Sequence, residues 1–187
     1  ELGGKFYFNT TFKDVKKQVD SLEVIADEYS FNTNHLLLGI GHSAKDTYEM
    51  LYKNGFLLEP KAFSMGARIE HLQKDINNIQ YGFNSNIHDA ASYKAAVHLP
   101  TRDVYTFCMC PGGYVVASSS SKNTSVTNGM SYEARDGVNA NSALLVNVRV
   151  EDFYLNSPLD GLYFQEKIEK ACYELTNSYK APCNLVK

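Results

Sequence analysis

The residues after Gly55 constrain the fold most, because they form a series of short apolar segments separated by turn residues. The strand-like segments are Phe56 to Leu58, Ala62 to Ile69, Val97 to Leu99, Val104 to Met109, Tyr114 to Ala117 and Ser142 to Val150. Short runs of this kind, bounded by Gly, Pro, Asn and Ser, are typical of strands joined by turns. Only one short helix, about residues 73–79, is predicted among them. A doubly wound parallel sheet needs regular crossover helices, so this part of the sequence favours antiparallel strands.

The first 55 residues have a different pattern. Alternation from Phe6 to Phe12 predicts a half-buried strand, and two more short strands, near residues 15–19 and 22–26, would complete an antiparallel meander. The continuous apolar run Leu36 to Ile40 predicts a buried parallel strand. We therefore predict a domain boundary near residue 56, with domains at residues 1–55 and 56–187.

Two helices are predicted outside the strand-rich region. Ser43 fits a helix N-cap and Asn54-Gly55 fits the end of the same helix. Near the C-terminus, Pro158 suits a first helical position, and apolar residues then recur at helical spacing for about four turns. Together with the strands, this predicts an α+β protein that ends in a helix.

Composition and charge exclude several classes of protein. The chain has 187 residues, of which 44% are apolar, and its formal net charge is -3. A chain of this length buries enough surface for one sizeable core or two small ones. The negative charge gives no general field for a polyanion, so we expect no nucleic-acid partner. No segment approaches the ~20 apolar residues that cross a bilayer, and we expect a soluble, cytoplasmic protein without membrane contacts.

The four cysteines do not predict a disulfide framework or a metal site. They are Cys108, Cys110, Cys172 and Cys183. Their number and spacing are not those of a small secreted domain, which favours reduced thiols. One residue between Cys108 and Cys110 is not the spacing of a zinc ribbon, so we predict no metal. A strand that ends in a Pro-Gly-Gly turn explains the pair, and a nucleophilic role would need a base that sequence does not locate.

A glycine-rich turn follows the apolar run Leu36 to Ile40. Gly39, Gly41, His42 and Ser43 form most of a G-x-G-x-x-A pattern between the predicted strand and the predicted helix. Glycines there let the backbone approach a ligand, and the helix N-terminus offers N–H groups to a phosphate. The pattern should open a βαβαβ unit, which does not follow. A dinucleotide turn and a tight turn without a ligand both remain open.

Two groups of polar residues are further candidates. Arg68, Glu70 and His71 lie on one predicted strand, with Arg68 and Glu70 on one face and His71 on the other. They predict either a surface ion pair or a functional group, and His71 is the candidate proton carrier because it titrates near neutrality. The second group lies in the polar stretch Thr127 to Asn141, which predicts either turns or the lining of a small-molecule pocket. Its candidate residues are Asn128, Ser131, Arg135 and Asn141.

Four strings in the sequence together resemble one family. They are GIGHSAKDT from Gly39, EPKAFSMGARIEH from Glu59, FCMCPGGYVVA from Phe107 and TNGMSYEARDGVNANSALLVNV from Thr127. Their order and spacing are similar to those of the uncharacterised FAD-dependent dehydrogenases, also called NAD(FAD)-utilising dehydrogenases. The resemblance covers nearly the whole chain.

The resemblance implies an internal fragment of a larger flavoprotein, without the N-terminal ADP-binding loop and the C-terminal segment that closes over the flavin. Residues 1–55 would then be a partial FAD-binding domain, comprising the meander, a strand and a helix. Residues 56–187 would be an inserted substrate-side domain, mostly antiparallel β with a C-terminal helix.

The resemblance also implies roles for the candidate residues. FAD would be bound by the complete parent protein and weakly or not at all by this fragment, which we expect to be inactive alone; NAD(P) is a possible further cofactor. The implied cofactor-binding residues are Gly39, Gly41, His42, Ser43, Asn128, Ser131 and Arg135. The implied substrate-binding residues are Arg68, Glu70 and Tyr132, and His71 is the implied catalytic residue. The partner would be a small-molecule substrate, and the oligomeric state stays open.

The function predicted from the sequence is therefore part of a flavin-dependent oxidoreductase. The alternative is a non-enzymatic module that binds a ligand or RNA through its thirteen tyrosines. A cysteine-dependent hydrolase using Cys108 or Cys110 is a further possibility.

Overall fold

A computed structural model describes residues 3–186 of the protein. The chain divides into two compact units, residues 1–59 and residues 60–187. The fold is α+β with antiparallel strands and a C-terminal helix, as predicted from the sequence. The predicted boundary between residues 55 and 56 lies close to the division between the units. The assignment of residues 1–55 to an FAD-binding domain stays a prediction.

The first unit is a three-stranded meander with one helix. Its elements are β1 (Phe12–Lys17), β2 (Leu22–Ala26), β3 (Tyr29–Thr33) and α1 (Lys45–Lys53). The strands pair antiparallel in chain order. Val15, Val24 and Leu51 form the core of this unit. The predicted meander is therefore confirmed, with its three strands shifted along the sequence.

The predicted strand from Phe6 to Phe12 is wrong. Strand pairing begins at Phe12, and the side chains of Phe6 and Phe8 are more than four-fifths exposed. The alternation of phenylalanines in this segment does not mark a buried face, because no strand of the described residues pairs alongside residues 6–11.

The predicted parallel strand Leu36–Ile40 is also wrong. All strand pairs among residues 3–186 are antiparallel, so the segment has no parallel neighbour, and a strand exists only by pairing. Leu36 and Leu38 pack against the core of the first unit, whereas Leu37 is almost fully exposed. The apolar run is thus an extended segment buried on one side.

The start of α1 differs from the prediction as well. The helix begins at Lys45 and its N-cap position is Ala44, so Ser43 lies one residue before the N-cap. Its end at Asn54-Gly55 is confirmed. Gly55 has a φ of 72°, a left-handed conformation that glycine adopts without steric cost.

The second unit contains a four-stranded sheet, a two-stranded ribbon and two α-helices. Its elements are β4 (Phe63–Leu72), α2 (Gln73–Tyr81), β5 (Ala96–His98), β6 (Asp103–Cys110), β7 (Gly113–Ala117), β8 (Thr127–Ser131), β9 (Asn139–Val148), the 3₁₀ turn η1 (Val150–Asp152) and α3 (Asp160–Thr176). The sheet order is β4-β9-β6-β5, and β7 pairs with β8. Most of these elements lie where the sequence predicts them. The exceptions are Phe56 to Leu58, which form no strand, and β8, which lies in the stretch predicted as a polar loop.

Strand β9 organises the second unit because it lies between β4 and β6. It pairs with all ten residues of β4, from Phe63 opposite Val148 to Leu72 opposite Asn139. It also pairs with β6, where the register shifts between Phe107 and Cys110. The last third of the chain therefore joins segments that are far apart in sequence.

Helix α3 packs on the sheet through aromatic rings. Phe164 of the helix lies 6.2 Å from Phe63 and 6.3 Å from Phe153 between ring centroids. The helix begins at Asp160, two residues after the predicted Pro158. The Asp160 carboxylate accepts hydrogen bonds from the backbone N–H groups of residues 155–157 and so fastens the preceding turn to the start of the helix. A negative charge in the first turn also suits the helix dipole.

An ion pair fastens the β5–β6 turn to the segment after β9. Two nitrogens of Arg102 each donate to one carboxylate oxygen of Asp152 at 2.6 Å, and Arg102 also donates to the backbone carbonyl of Asn147. The backbone N–H of Arg149 donates to Asp152 as well. The Arg102 hydrogen bonds and then the Arg149 hydrogen bond lower the pKa of Asp152 to about 2.

We predict that this ion pair makes folding stability depend on pH at the acidic end. A lowered pKa in the folded state stabilises the fold above the unfolded value near 3.8, and this stabilisation is lost as the pH falls toward about 2. Urea unfolding should show Asp152→Asn less stable than wild type at pH 7, with the difference shrinking as the pH falls through this window. Glu151→Gln, a change at the exposed neighbour, is the control. A difference that does not vary with pH would contradict the assignment.

Candidate functional site

Three strands and the ribbon meet at Arg68 on one face of the sheet. The guanidinium Nη1 of Arg68 in β4 donates a hydrogen bond to Oδ1 of Asn141 in β9. The Nη1 and Nη2 groups also lie 3.4 Å from the backbone carbonyl oxygen of Cys108 in β6. Among residues 3–186 no carboxylate pairs with Arg68, so the predicted Arg68–Glu70 ion pair is not formed. The positive charge is compensated by amide and carbonyl oxygens instead.

Asn141 lies at the centre of this arrangement. The residue is fully buried, and the strand register sets it opposite Glu70 of β4 and Cys110 of β6. Its Oδ1 atom accepts from Arg68, whereas its Nδ2 atom is buried without a hydrogen-bond partner among the described residues. An unpaired buried amide is costly, by about 1–3 kcal/mol, and such a group marks a site that merits a functional explanation.

Strand β6 ends in a bulge at the cysteines. Between Phe107 and Cys110 it contains one residue more than the facing stretch of β9. Cys108 has a φ of 45°, a left-handed conformation that is uncommon for residues other than glycine. This backbone turn directs the Cys108 carbonyl toward the guanidinium of Arg68.

The turn Pro111–Gly113 connects β6 to the ribbon and is buried. Its Gly112 N–H donates to Oε1 of Gln73 at 2.7 Å, and its Pro111 carbonyl accepts from the hydroxyl of Ser131 at 2.7 Å. Gln73 is buried too and donates through Nε2 to the carbonyl of Ala91. Gly112 has a φ of 51°, and a Cβ atom there would lie 1.8 Å from the carbonyl oxygen of Arg135. Only glycine fits this position.

The β7–β8 ribbon has one face toward the sheet and one face toward solvent. Gly129 is on the inner face, where a Cβ atom would lie 2.1 Å from Nη1 of Arg68 and 2.3 Å from Oδ1 of Asn141. The next strand positions alternate outward, and the exposed residues of the ribbon include Tyr114, Asn128, Met130 and, just after β8, Tyr132. The rings of Tyr114 and Tyr132 are 6.1 Å apart in an edge-to-face arrangement. We call these four residues the outer face of the ribbon.

The structure does not bring the predicted residues of the polar stretch together in one place. Ser131 lies on the inner face and binds the Pro111 carbonyl, as described above. Asn128 and Tyr132 belong to the outer face. Arg135 is exposed in the turn after β8, where its backbone has a φ of 49° and its N–H donates to the carbonyl of Tyr132.

His71 lies on the other face of the sheet from Arg68 and Asn141. Its ring is 5.5 Å from the ring of Tyr93, and its Nε2 atom is buried without a hydrogen-bond partner among residues 3–186. Burial lowers the pKa of His71, although the charges of Asp75 and Glu70 act in the opposite direction. Burial also raises the pKa of Tyr93, whose hydroxyl is buried without a hydrogen-bond partner among the described residues, and the nearby Ser142 acts in the opposite direction. His71 is therefore neutral at pH 7 and does not share a pocket wall with Arg68.

The glycine-rich turn belongs to the first unit. Gly41 has a φ of 72°, and no atom lies within 4 Å of the positions where Cβ atoms of Gly39 or Gly41 would stand. His42 and Ser43 follow as a turn before α1. In the first turn of α1, the Thr47 N–H already donates to the carboxylate of Asp46. The turn has the open backbone of a phosphate loop but lacks the strand that a dinucleotide fold supplies.

The described part of the chain has neither a metal-ligand cluster nor a helix suited to a membrane. Residues 3–186 contain no cluster of three or more His, Cys, Asp or Glu side chains suited to a metal ion. None of the helices in this range is both long and apolar enough to cross a bilayer.

Comparison with known proteins identifies the family. Residues 62–187 match the family described as FAD-dependent protein, C-terminal domain-like. The chain belongs to this family. An uncharacterised protein of Clostridium beijerinckii is 46% identical to the chain over 192 residues. That alignment covers 99% of this chain and 36% of the clostridial protein, so the chain spans little more than a third of that relative.

Two features of this FAD-family chain suit a flavin. The outer face of the ribbon offers aromatic rings and an amide side chain, which suit a planar heteroaromatic ring with polar edges. The open backbone at Gly39 and Gly41 suits the close approach of a pyrophosphate.

Gln73 and Gly129 are the site residues that sequence reasoning missed. The sequence showed Gln73 only as the start of a helix, and it carries no signal that its side chain would bind a turn 39 residues away. Gly129 lies within a stretch that the sequence predicts as turns or a pocket lining. The alternation of residues 127–131 was the available signal that this stretch is a strand with glycine on its inner face.

We predict that Gly129→Ala destabilises the second unit by about 1–3 kcal/mol, because the added methyl group would overlap Arg68 and Asn141. The measurement is the free energy of unfolding in urea. Met130→Ala, on the solvent-facing side of the same strand, is the matched control and should change it by no more than about 0.5 kcal/mol. Equal effects of the two substitutions would mean that the ribbon does not pack on the sheet through Gly129.

Proposed function

We propose that this chain is part of a flavin-dependent oxidoreductase and contributes the substrate-side domain and part of the flavin interface. The observation that carries the proposal is the match of residues 62–187 to the FAD-dependent family. The position of aromatic and amide side chains on one exposed ribbon face supports it further. The substrate would be a small molecule, and NAD(P) is proposed as a possible second cofactor.

The outer face of the ribbon is the proposed flavin-facing surface. Tyr114 and Tyr132 would exclude water from one side of the ring system through their apolar faces. Asn128 accepts a hydrogen bond from the Gly129 N–H through Oδ1, which fixes the amide and leaves its NH₂ group to donate. When bound, FAD supplies hydride transfer at N5; the chain supplies binding and orientation.

In this proposal Arg68 has a structural role. Its guanidinium is occupied by Asn141 and by the Cys108 carbonyl, so it holds the bulge and the ribbon in place. Arg135, which is exposed beside the ribbon, is the better candidate for an anionic group of the flavin or the substrate. We propose supporting roles for Glu70 and Ser131. Ser131 holds the Pro111–Gly113 turn through its hydroxyl.

His71 is the proposed proton carrier. Its lowered pKa keeps the ring neutral at pH 7, and a neutral imidazole is able to accept a proton. The buried Nε2 atom without a partner is the observation that favours this residue. Because His71 lies on the face of the sheet opposite Arg68 and the ribbon, the group whose proton it carries would approach from the side of Tyr93 and not from the outer face of the ribbon.

The first test is whether the parent protein carries a flavin. Both the complete reading frame that contains this sequence and the full-length clostridial relative should purify yellow, and dithionite should bleach the flavin absorbance under anaerobic conditions. The 187-residue chain alone should bind FAD weakly in a fluorescence titration, since it holds only part of the proposed interface. Colourless full-length proteins that do not retain added FAD would overturn the proposal.

A second test concerns the outer face. In the full-length protein, Tyr132→Ala combined with Asn128→Ala should weaken FAD retention by about tenfold, the loss expected for one stacking contact and one hydrogen bond. Tyr154→Ala removes an exposed tyrosine outside the ribbon and should leave retention unchanged. Equal retention in both variants would exclude the outer face as the flavin surface while leaving the cofactor itself in place.

A further inference from the structure

Cys108 and Cys110 lie together at the end of β6, and the proposed flavin function uses neither thiol. Cys108 is exposed and Cys110 is half-buried. The thiol of Cys110 donates to the backbone carbonyl of Cys108 at 3.4 Å. The Cys110 sulfur therefore lies over the backbone of the residue that carries the other thiol.

The bulge brings the two cysteines closer than a regular strand would. Phe107 is opposite Ala143 and Cys110 is opposite Asn141, so three residue steps of β6 cover two steps of β9. Two steps of a strand span about 7 Å, against about 10 Å for three. In a regular strand the Cα atoms of Cys108 and Cys110, which are two steps apart, would lie about 7 Å from each other, at the upper end of the ~4.4–6.8 Å range of disulfides, and the shortened Phe107–Cys110 stretch that contains them favours a smaller separation.

The surroundings favour reaction of this pair with a small molecule. Nη1 of Arg68 lies 3.9 Å from the sulfur of Cys110 and also binds the Cys108 carbonyl, so one guanidinium holds both residues in position. Phe107, next to Cys108 in the sequence, is 56% exposed and adds an apolar side chain to this end of β6. The strained left-handed backbone at Cys108 is held by these contacts, and such strain is often found at functional positions.

We propose that Cys108 and Cys110 form a redox-active dithiol that closes to a disulfide by exchange with small disulfide compounds. The exposed Cys108 attacks the small disulfide RSSR as a thiolate, which forms a mixed disulfide and releases one RSH. Cys110 then attacks the Cys108 sulfur, which forms the Cys108–Cys110 disulfide and releases the second RSH. The two cysteines are oxidised, RSSR is reduced to two thiols, and the two cysteine protons leave with the two RSH molecules.

The proposal goes beyond the flavin function and does not depend on it. Arg68 is a positioning residue here, because it touches the backbone carbonyl and the Cys110 sulfur and takes no part in the exchange itself. Cys172 and Cys183 lie elsewhere, on α3 and in the C-terminal segment, and provide comparisons within the same chain.

The test uses the 187-residue chain with Cys172→Ser and Cys183→Ser, so that only the pair remains. The protein is incubated with glutathione disulfide, quenched with acid, treated with N-ethylmaleimide and weighed by intact mass spectrometry. The expected product carries neither glutathione nor maleimide and has lost two hydrogen atoms. Excess reduced glutathione should restore two maleimide-reactive thiols.

Single cysteine variants in that background test the order of events. Cys110→Ser should stop at a mixed disulfide on Cys108, because no second thiol resolves it. Cys108→Ser should react more slowly, since Cys110 is the less exposed thiol. Arg68→Gln should slow closure of the disulfide more than formation of the mixed disulfide, and Arg68→Lys should restore part of the rate; circular dichroism checks that each variant is folded.

Two results would overturn the proposal. One is a product carrying two glutathiones, which would show that the cysteines are too far apart to close. The other is no reaction at either cysteine while Cys183 of the wild-type chain forms a mixed disulfide in the same solution. Both results are independent of the variants at Arg68 and of flavin binding.

Discussion

The hydrogen bond from the guanidinium of Arg68 to the fully buried Asn141 is the interaction on which the second unit depends most. A hydrogen bond to a charged group contributes about 1.5–3 kcal/mol, and loss of one partner would leave the other buried without compensation. The same guanidinium holds the Cys108 carbonyl, and the glycine at position 129 lets the ribbon approach both side chains. One cation therefore ties together β4, β6, β9 and the ribbon.

This constraint determines which side chains are available for function. The inner face of the ribbon packs against Arg68 and Asn141. Only the outward-facing residues of the ribbon are therefore accessible to a ligand. His71 follows Arg68 by three residues on β4, and because side chains alternate between the faces of a strand, it lies on the opposite side of the sheet. Its neighbours there are Tyr93 and Ser142. The Arg68 contacts, the proposed flavin surface on the ribbon and the proposed proton carrier thus occupy three separate places in the second unit.

The sequence was sufficient for the parts of the fold that local chemistry determines. The turn-bounded segments predicted most strands of the sheet, and helical spacing predicted α1, α2 and α3 to within a few residues. The sequence-based prediction failed where strand formation depends on pairing with a distant segment. The Leu36–Ile40 run is strand-like but has no neighbouring strand among the described residues, whereas Thr127–Ser131 is polar but pairs with β7. Contacts between distant residues, such as Gln73 with Gly112, have no local signature in either segment.

Hydrogen–deuterium exchange on Arg68→Gln tests most directly whether Arg68 holds this arrangement together. The account predicts faster exchange confined to the β6 bulge, the Pro111–Gly113 turn and the ribbon strands β7 and β8. The meander of the first unit should exchange as in the wild-type protein. Unchanged protection of the ribbon, or a uniform loss of protection along the whole chain, would contradict it.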